Sequence, residues 1–453
     1  WTGIGTVEEL LALANSADSH ALSQNYRLTA DLSLDGVEFP GIGSPQAPFT
    51  GSFDGQGHTI SGMARRGTDG VGFFNVIRGA AIKNLTLTQA RAEGSPDAGL
   101  LAGRAEVLLN VQDMASSQAN LMGNCRVEGS VSGLKRAGGL VGWNGGASSS
   151  GTGFSIASAV DRCTAEASVT GPVQRAGEAP SKLGGLAGEN SGVITRSSAS
   201  GPVLAPNGTE AGGLAGANGG DIYDSSAWGS VQGLGHVGGF VGASSGTVTR
   251  CCSAGGVSGA EYAGGFAGSI SAVDTAVSAG VLAITGSSST GCCGGFAGSL
   301  NGTVAGVLNQ ITVKNSFGNC TQPDGTLLNP VGNTSAFSSE AQREALDRMT
   351  LSTRAAAAEK LYDLFGLTMP QSPEMEAELG KYVDAVTVAA DTPAGSVLSL
   401  LSPGAVPGEG FETDISADSE YLSGGGVLTL VKNNPGAPVT VTVQLAVRRT
   451  DGS

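Results

Sequence analysis

The first residues to test for catalysis are the three histidines, His20, His58 and His236. The chain has no His-Glu-x-x-His motif, so the two-histidine zinc site of metallopeptidases is not predicted. Cysteine–histidine catalysis would need an imidazole held beside a thiol. We expect structural roles for His236, in a turn just before Gly238, and for His58, in the sequence Asp-Gly-Gln-Gly-His.

Carboxylates are the second chemistry to consider, because glycoside hydrolysis uses a pair of them and polysaccharide lyases add a basic residue. Asp31, Asp35 and Asp54 lack the Asp-x-Asp-x-Asp spacing of a calcium loop. The acidic residues further along the chain are scattered, at Glu128, Asp161, Glu166, Glu189, Asp221, Asp224 and Glu261. The sequence therefore predicts a chain that is not an enzyme, with no catalytic residue, no metal site and no cofactor.

Two tryptophans and one polar column are candidates for ligand binding. Sugar C–H faces pack well on aromatic rings, so Trp143 and Trp228 are predicted sugar platforms, with partly buried anchors as the alternative. The polar column recurs at one position of an internal repeat, and it comprises Arg196, Asp224 and Arg250, with Asn124 and Arg162 upstream. This ridge would suit a glycan or an acidic ligand, and the alternative is a row of solvated turns.

Composition limits the classes of partner. The net charge is −15, and phosphate neutralisation needs clustered Lys and Arg, so we expect no nucleic-acid partner. No apolar run approaches the roughly 18 residues of a spanning helix, so we expect no membrane insertion. With 74 glycines but no Gly at every third position, and with 40% hydrophobic residues, the chain is neither collagen-like nor disordered in type.

The elements that position these residues follow from an internal repeat of about 26–30 residues, the length of one β-solenoid coil. Its mark is Gly-Gly-Leu/Phe-x-Gly, which begins at Gly138, Gly184, Gly212, Gly238, Gly264 and Gly294. We expect glycine at these corners to supply positive φ and close backbone approach. Small and β-branched residues recur between the corners, which favours stacked parallel strands over a helical solenoid.

The seven cysteines fit that repeat better than they fit a chemical site. Twelve residues after the second glycine lie Ser197, Ser225, Cys251 and Val277, and Cys125 and Cys163 fall in the same column. Fourteen residues after it lie Ala199, Ala227, Ser253 and Ala279. Stacked coils place like on like, so we predict a ladder of buried small residues. The redox state of the thiols stays open.

The N-terminal segment reads as a cap over the open end of the solenoid. Thr6 and Glu9 form a capping box ahead of the apolar positions Leu10, Leu11, Leu13 and Ala14, which predicts a short amphipathic helix. A strand pattern from Tyr26 to Leu32 follows, and then the run Phe49-Thr50-Gly51-Ser52-Phe53-Asp54-Gly55-Gln56-Gly57-His58-Thr59-Ile60. Asp54-Gly55 marks a turn within it.

This opening run, followed by the Gly-Gly-Leu/Phe-x-Gly coils and Ser/Cys-x-Ala-x-Gly-x-Val steps, resembles the GLUG-motif family of bacterial surface proteins over roughly residues 1–320. The resemblance implies a pectin-lyase-like right-handed parallel β-helix. Members of that family occur as modules of large adhesins and beside the catalytic domains of some immunoglobulin A-cleaving metallopeptidases. The resemblance implies an extracellular or cell-surface location in bacteria, and no chemical activity.

Beyond Gly318 the repeat fades. A capping box at Ser339 and Gln342 predicts a helix through Met349, and a second helix is predicted from about Arg354 to Phe365, ended by Gly366. Residues 381–453 read as a small all-β module of sandwich type. The predicted domains are therefore a β-helix with its cap over 1–320, a helical linker or C-terminal cap over 321–380, and the β module over 381–453.

Three functions are compatible with these residues. The first is an adhesin-type binding or display module, secreted or on the cell surface, whose partner is a host or cell-wall glycan or a surface protein. The second is a carbohydrate-active enzyme, a polysaccharide lyase or hydrolase, on the same fold. The third is a purely structural stalk. The lack of a convergent catalytic cluster favours the first.

Overall fold

The computed structural model describes residues 1–110, 112–149, 154–171, 181–206, 210–280, 282–284, 292–300, 312–320, 322, 327–332 and 348–368, and the backbone of several strands beyond residue 384. The chain divides into two compact units, Trp1–Met369 and Pro370–Ser453. The limits predicted at residues 320 and 380 stay predictions. The helix predicted over 339–349 lies outside the described residues, apart from its last two positions.

The strands of the first unit are short and recur in the same order in each coil. The first are β1 (Thr2–Ile4), β2 (Asn25–Leu28), β3 (Leu32–Ser33), β4 (Ser52–Asp54), β5 (Thr59–Ser61), β6 (Ala64–Gly67), β7 (Phe74–Arg78), β8 (Ala81–Lys83), β9 (Thr86–Gly94), β10 (Asp97–Ala98), β11 (Ala102–Glu106), β12 (Leu121–Gly123) and β13 (Arg126–Gly133). The next are β14 (Arg136–Gly138), β15 (Val141–Asn144), β16 (Gly146–Ser149), β17 (Phe154–Ala157), β18 (Ala159–Asp161), β19 (Thr164–Thr170), β20 (Lys182–Gly184), β21 (Ala187–Asn190), β22 (Val193–Thr195), β23 (Ser198–Ala199), β24 (Val203–Ala205), β25 (Glu210–Gly212) and β26 (Ala215–Asn218). The last are β27 (Asp221–Tyr223), β28 (Ser226–Ala227), β29 (Val231–Gly233), β30 (His236–Gly238), β31 (Val241–Ser253), β32 (Val257–Gly259), β33 (Tyr262–Gly264), β34 (Ala267–Ser278), β35 (Leu282–Ile284), β36 (Cys292–Gly294), β37 (Ala297–Leu300), β38 (Thr312–Asn319) and β39 (Thr350–Leu351).

These strands stack as a parallel β-helix, as the repeat predicts. Each strand pairs in parallel with its equivalent one coil earlier and one coil later: β21, for example, pairs with β15 and with β26. The register is that of the repeat, since Ala187 lies opposite Val141 on one side and opposite Ala215 on the other. The insertion after Gly145 departs from this pattern and forms an antiparallel hairpin of β16 and β17.

The interior consists of columns of like residues. Phe240, Phe266 and Phe296 are fully buried and stack in succession, with ring centroids 4.8 and 5.0 Å apart. These spacings match the separation of neighbouring strands, so each ring lies directly on the next. Burial of such columns is the main favourable contribution to this fold.

A buried polar column runs beside the apolar ones. Asn144 donates from Nδ2 to Oδ1 of Asn190 at 2.8 Å, and Asn190 donates in turn to Asn218 at 2.7 Å. Asn218 continues the series with a 3.0 Å bond to Oγ of Ser244. Stacked amides bond one another in this way, because each carries both donors and an acceptor; the Oδ1 of Asn144, where the series begins, is buried and has no partner among the described residues. The ladder ends at the next coil, where Ile270 pairs with Ser244.

The signature glycines are required by close backbone approach. A Cβ on Gly188 would lie 2.6 Å from the amide nitrogen of Ala137, and one on Gly184 would lie 2.0 Å from the carbonyl oxygen of Ala187. The prediction that these corner glycines adopt positive φ is wrong: none of those in the described coils does. Two sheets meet backbone to backbone at this corner, and a side chain there would force them apart.

Positive φ occurs instead at the polar column of the sequence analysis. Asn124, Arg162, Arg196, Asp224 and Arg250 have φ between 47° and 53°. The left-handed region costs an ordinary residue about 1 kcal/mol, and asparagine and aspartate tolerate it best. The column therefore marks a sharp bend that every coil makes at the same point.

The columns predicted for the later coils are displaced by one residue. Cys251 pairs with Ala276 and Ser253 with Ser278, so the assignments of Val277 and Ala279 to those columns are wrong. The register shifts between Ser244 and Thr247, where the next coil is one residue shorter. The spacing between successive signature glycines does not reveal this deletion. An insertion later in the same coil lengthens that spacing again.

The predicted N-terminal cap is confirmed. Helix α1 (Val7–Ala14) begins with the capping box, in which Glu9 donates its amide to Thr6 Oγ1 at 3.3 Å and accepts from the Thr6 amide at 3.2 Å. Leu10 and Leu13 of this helix are buried in the core. A one-turn helix, α2 (Ser19–Leu22), follows, and a 3₁₀ turn spans Met114–Ser116.

Helix α3 (Arg354–Phe365) matches the second predicted C-terminal helix, and Gly366 ends it at φ 65°. Its buried Ala357 and Leu361 pack on the outside of the coils, against Cys252 and Val277. The described part of the second unit consists of strands: β40 (Ala385–Val388), β41 (Val397–Leu398), β42 (Phe411–Ala417), β43 (Leu422–Ser423), β44 (Leu428–Leu430) and β45 (Val439–Arg449). They pair antiparallel, with β45 between β40 and β42, and β44 between β41 and β43.

Candidate functional site

The glycine corner bounds a groove on the outside of the coils. Its first wall is a column in the sheet of β10, β14, β20, β25, β30, β33 and β36, and carries Asp97, Arg136, Lys182, Glu210, His236, Tyr262 and Cys292. Its second wall is a column seven residues further along each coil, and carries Arg104, Trp143, Glu189, Ala217, Ala243, Ser269 and Ser299. We call this feature the corner groove.

In the first coils of the corner groove, the two walls hold each other by ion pairs. Asp97 is fully buried and binds both Arg104, at 2.8 Å, and Arg136. Glu189 binds Arg136 at 3.2 Å and Lys182 at 2.8 Å. Burial opposes ionisation of Glu189, but its two cationic partners outweigh that effect and hold its pKa below the usual range. We call this segment, from Asp97 to Lys182, the filled half.

Trp143 belongs to the filled half. The Arg136 guanidinium carbon lies 4.7 Å from the centre of a Trp143 ring, within cation–π distance. The indole Nε1 lies 3.5 Å from Ser191 Oγ, at the limit of a hydrogen bond. The ring is half-buried, so an arginine covers part of the surface that a sugar would need.

In the later coils, small residues take the place of Trp143 and Glu189 on the second wall. Ala217, Ala243 and Ser269 lie across from Glu210, His236 and Tyr262. We call this segment, Glu210 to Tyr262, the open half. Within the described residues, the side-chain polar atoms of Glu210, His236 and Tyr262 make no hydrogen bond or ion pair, although all three are half-buried.

The environment of the open half changes the ionisation of its residues. Burial raises the pKa of Glu210, the Lys182 charge opposes the rise, and the Glu189 charge adds to it. Burial also lowers the pKa of His236, against the opposing charge of Glu261. The imidazole stacks on the Tyr262 ring with centroids 4.6 Å apart and planes 9° apart. Ionisable groups whose pKa values are shifted by burial are candidates for a functional site.

The ridge residues lie at the same bend of each coil, and those at Arg196, Asp224 and Arg250 already have ion-pair partners. Arg250 binds Asp224 through two bonds, of 2.5 and 2.7 Å. Arg196 binds Asp161 of the preceding coil at 2.6 Å. Pairing with Arg250 lowers the pKa of Asp224. Binding of a ligand by these residues stays a prediction, and it would have to compete with these pairs.

Trp228 is separate from both the ridge and the corner groove. It follows β28, and its indole Nε1 donates to Ser226 Oγ at 3.0 Å. The ring packs on the cluster beneath α3, with Cys252 and Ala254. The structure therefore does not join Trp143, Trp228 and the ridge in one site, and Trp228 has the contacts of an anchor.

Cys125, Cys163 and Cys251 are buried, as the predicted column of small residues requires. All seven are free thiols, and Cys125, Cys163, Cys251, Cys252 and Cys320 are buried. Burial raises the pKa of the Cys252 thiol to about 12. A thiol that stays protonated is a poor nucleophile.

Two features of the coils were missed in the sequence, although both have a signal there. The asparagine ladder recurs five residues after the second signature glycine, and the first wall recurs three residues before it. Glu210 and Lys182 were not recognised as members of one column, and His236 was assigned only to a turn. Charge at one fixed position of a repeat is the signal that identifies such a wall.

Comparison with known proteins yields partial likenesses. No family model matches the chain. It is 34% identical over 164 residues to halomucin from Haloquadratum walsbyi, which covers 31% of this chain and only 2% of halomucin. Among solved structures, it is similar to a Bacteroides ovatus protein provisionally named an immunoglobulin A1 protease. The TM-score is 0.43 and the identity 18%, over 66% of this chain and 82% of that one.

Proposed function

We propose that this chain is a non-catalytic binding and display module of a secreted or cell-surface protein, related to the GLUG-motif family. The opening run around His58 and the repeated signature support that relationship. The partial identity to halomucin, a mucin by its name, is compatible with a surface role. The described residues contain no helix that is long and apolar enough to cross a membrane.

The observation that carries this proposal is the pairing of charges along the coils. In the described corner groove, Glu210 is the one carboxylate without a partner, whereas hydrolysis of a glycosidic bond uses two carboxylates. Across the same residues, no group of three or more His, Cys, Asp or Glu side chains is arranged to hold a metal ion. These features suit a stable scaffold that presents one open surface.

A carbohydrate-active enzyme is the second candidate, and the open half is the observation that favours it. A half-buried carboxylic acid with a raised pKa beside an unpaired imidazole resembles an acid–base pair. The structural stalk is the third candidate, and it requires that no ligand bind at all.

Size-exclusion chromatography with labelled polysaccharides and mucin glycans distinguishes the three. The proposed function predicts that a glycan or glycoprotein co-elutes with the full chain and keeps its original length. A shortened product would contradict the proposal in favour of an enzyme. If no member of the panel co-elutes, and cell-surface proteins tested on the same column also fail to bind, the stalk is supported instead.

A further inference from the structure

Two cysteines occupy the same position of successive coils and lie side by side inside them. The strands before Cys125 and Cys163 pair Gly123 with Asp161, and the strands after them continue with the same offset. Between these pairings, the amide of Thr164 donates to the carbonyl oxygen of Cys125 at 2.9 Å. The two cysteines are therefore direct neighbours across adjacent parallel strands.

Among the described strand pairings, no other one places a cysteine beside a cysteine. The remaining cysteines of these strands pair with residues of other types: Cys251 with Ala276, Cys252 with Ser226 and Val277, Cys292 with Tyr262, and Cys293 with Ala263. The cysteines at 125 and 163 thus differ from the others in having a second thiol within reach.

The spacing of this pair suits a disulfide bond. Neighbouring strands lie about 4.8 Å apart, and a disulfide joins residues whose Cα atoms are roughly 4.4–6.8 Å apart. The Cys163 sulfur turns back toward the coil of Cys125, where it lies 3.4 Å from the carbonyl oxygen of Met122. A hydrogen bond between the two thiols lowers the pKa of Cys125 against the effect of burial. Cys125 is therefore the thiol of the pair that ionises first.

We propose that Cys125 and Cys163 form a disulfide bond as the coils close, wherever a disulfide oxidant is present, either oxidised glutathione or a protein disulfide. The bond joins the coils on either side of the insertion that forms the hairpin of β16 and β17. It adds a covalent crosslink to the solenoid and is independent of any ligand that the chain binds.

The reaction is an ordinary thiol–disulfide exchange. The Cys125 thiolate attacks one sulfur of the oxidant, so that a mixed disulfide forms and the first thiol of the oxidant leaves. Cys163 then loses its proton, attacks the Cys125 sulfur and releases the second thiol. The oxidant takes up the two electrons and two protons that the cysteines lose. Because Cys125 is 2% and Cys163 0% exposed in the folded coils, the exchange precedes their burial.

A count of free thiols in the full chain tests the proposal. The chain is produced in the oxidising bacterial periplasm and in the reducing cytoplasm. Each sample is unfolded without reductant and alkylated with iodoacetamide, and its mass is measured. The periplasmic protein is expected to leave two of its seven cysteines unmodified, the cytoplasmic protein none, and reduction should make the two samples alike.

A digest of the unreduced periplasmic protein identifies the bond. It should contain one species that joins the peptide of Cys125 to the peptide of Cys163 and that separates on reduction. Alkylation of all seven cysteines in the periplasmic protein overturns the proposal. A disulfide between any other two cysteines also overturns it.

Two matched variants provide a second test. Cys163→Ser and the control Cys251→Ser make the same change in one column, which already carries serine at Ser197 and Ser225. Every cysteine of periplasmic Cys163→Ser should be alkylated, including Cys125, whereas Cys251→Ser should still protect two. Two protected cysteines in Cys163→Ser, or none in Cys251→Ser, overturn the proposal. If Cys163→Ser fails to fold, as judged by circular dichroism, the linked peptide of the wild type decides.

Discussion

At the residue scale, the asparagine ladder should be one of the most sensitive features of the coils. The amide of Asn190 accepts from Asn144 and donates to Asn218 inside the core, so removing it leaves the buried Asn218 oxygen without a donor and takes one bond from the Asn144 amide, which keeps its bond to Ser158. We expect Asn190→Ala to lower the free energy of unfolding by about 2–4 kcal/mol. The control Asn25→Ala, at an exposed position on β2, should change it by less than about 0.5 kcal/mol. Equilibrium denaturation monitored by circular dichroism measures both, and similar values for the two variants would refute a structural role for the ladder.

The pKa of Glu210 gives a second prediction at this scale. Folding raises this pKa, so the folded state favours the protonated acid. The stability that this group contributes is therefore complete below its unfolded pKa of about 4.3, and is lost as pH rises through the folded pKa. We expect Glu210→Gln to unfold at a higher temperature than the wild type at pH 7, and at the same temperature near pH 3.5.

The comparison of melting temperatures at the two pH values separates a binding residue from a structural one. The control is Glu128→Gln, the same change at an exposed position on β13. It should leave the difference in melting temperature between pH 7 and pH 3.5 as it is in the wild type. A lower melting temperature of Glu210→Gln at pH 7 would mean that the carboxylate stabilises the fold, and the case for an unsatisfied charge in the open half would fail.

At the element scale, α1 is the part of the chain that protects the first coil. β1 pairs with β2 alone among the described strands, so one of its edges is open, and Leu10 of α1 is fully buried in the core beside it. We expect Leu10→Asp to displace the helix and to cause concentration-dependent assembly through the exposed edge. Light scattering after size exclusion measures the assembly. Glu8→Ala, at an exposed position on the same helix, should leave the chain unassembled; a Leu10→Asp protein that also stays unassembled would contradict a capping role.

The helices and most of the coil register could be predicted from the sequence, and one shift in that register could not. Local chemistry identified α1 through Thr6 and Glu9, and α3 through its glycine end, because capping depends on neighbours in sequence. The coil register was also predictable up to Ser244. The one-residue deletion after it was not, since a shorter coil changes the pairing of Cys251 without changing any motif.

At the scale of the whole molecule, the repeat determines both the fold and the candidate site. The same glycine corner that allows two sheets to touch at Gly188 also turns two columns of side chains toward each other. The fold class followed from the sequence because like residues recur at coil spacing. The corner groove did not, because its walls lie seven residues apart in a coil and meet only when the corner is formed, as Lys182 and Glu189 show.

The proposed function requires that the chain bind a polysaccharide without cleaving it, and a count of new chain ends measures this. The full chain is incubated for days with the polysaccharide that it retains on the column, and reducing ends and unsaturated ends are quantified against a heat-denatured sample. We expect no ends above the denatured control at any pH from 4 to 8. New ends that appear with the folded wild type and disappear in Glu210→Gln would contradict the proposed function, and would make the open half an active site.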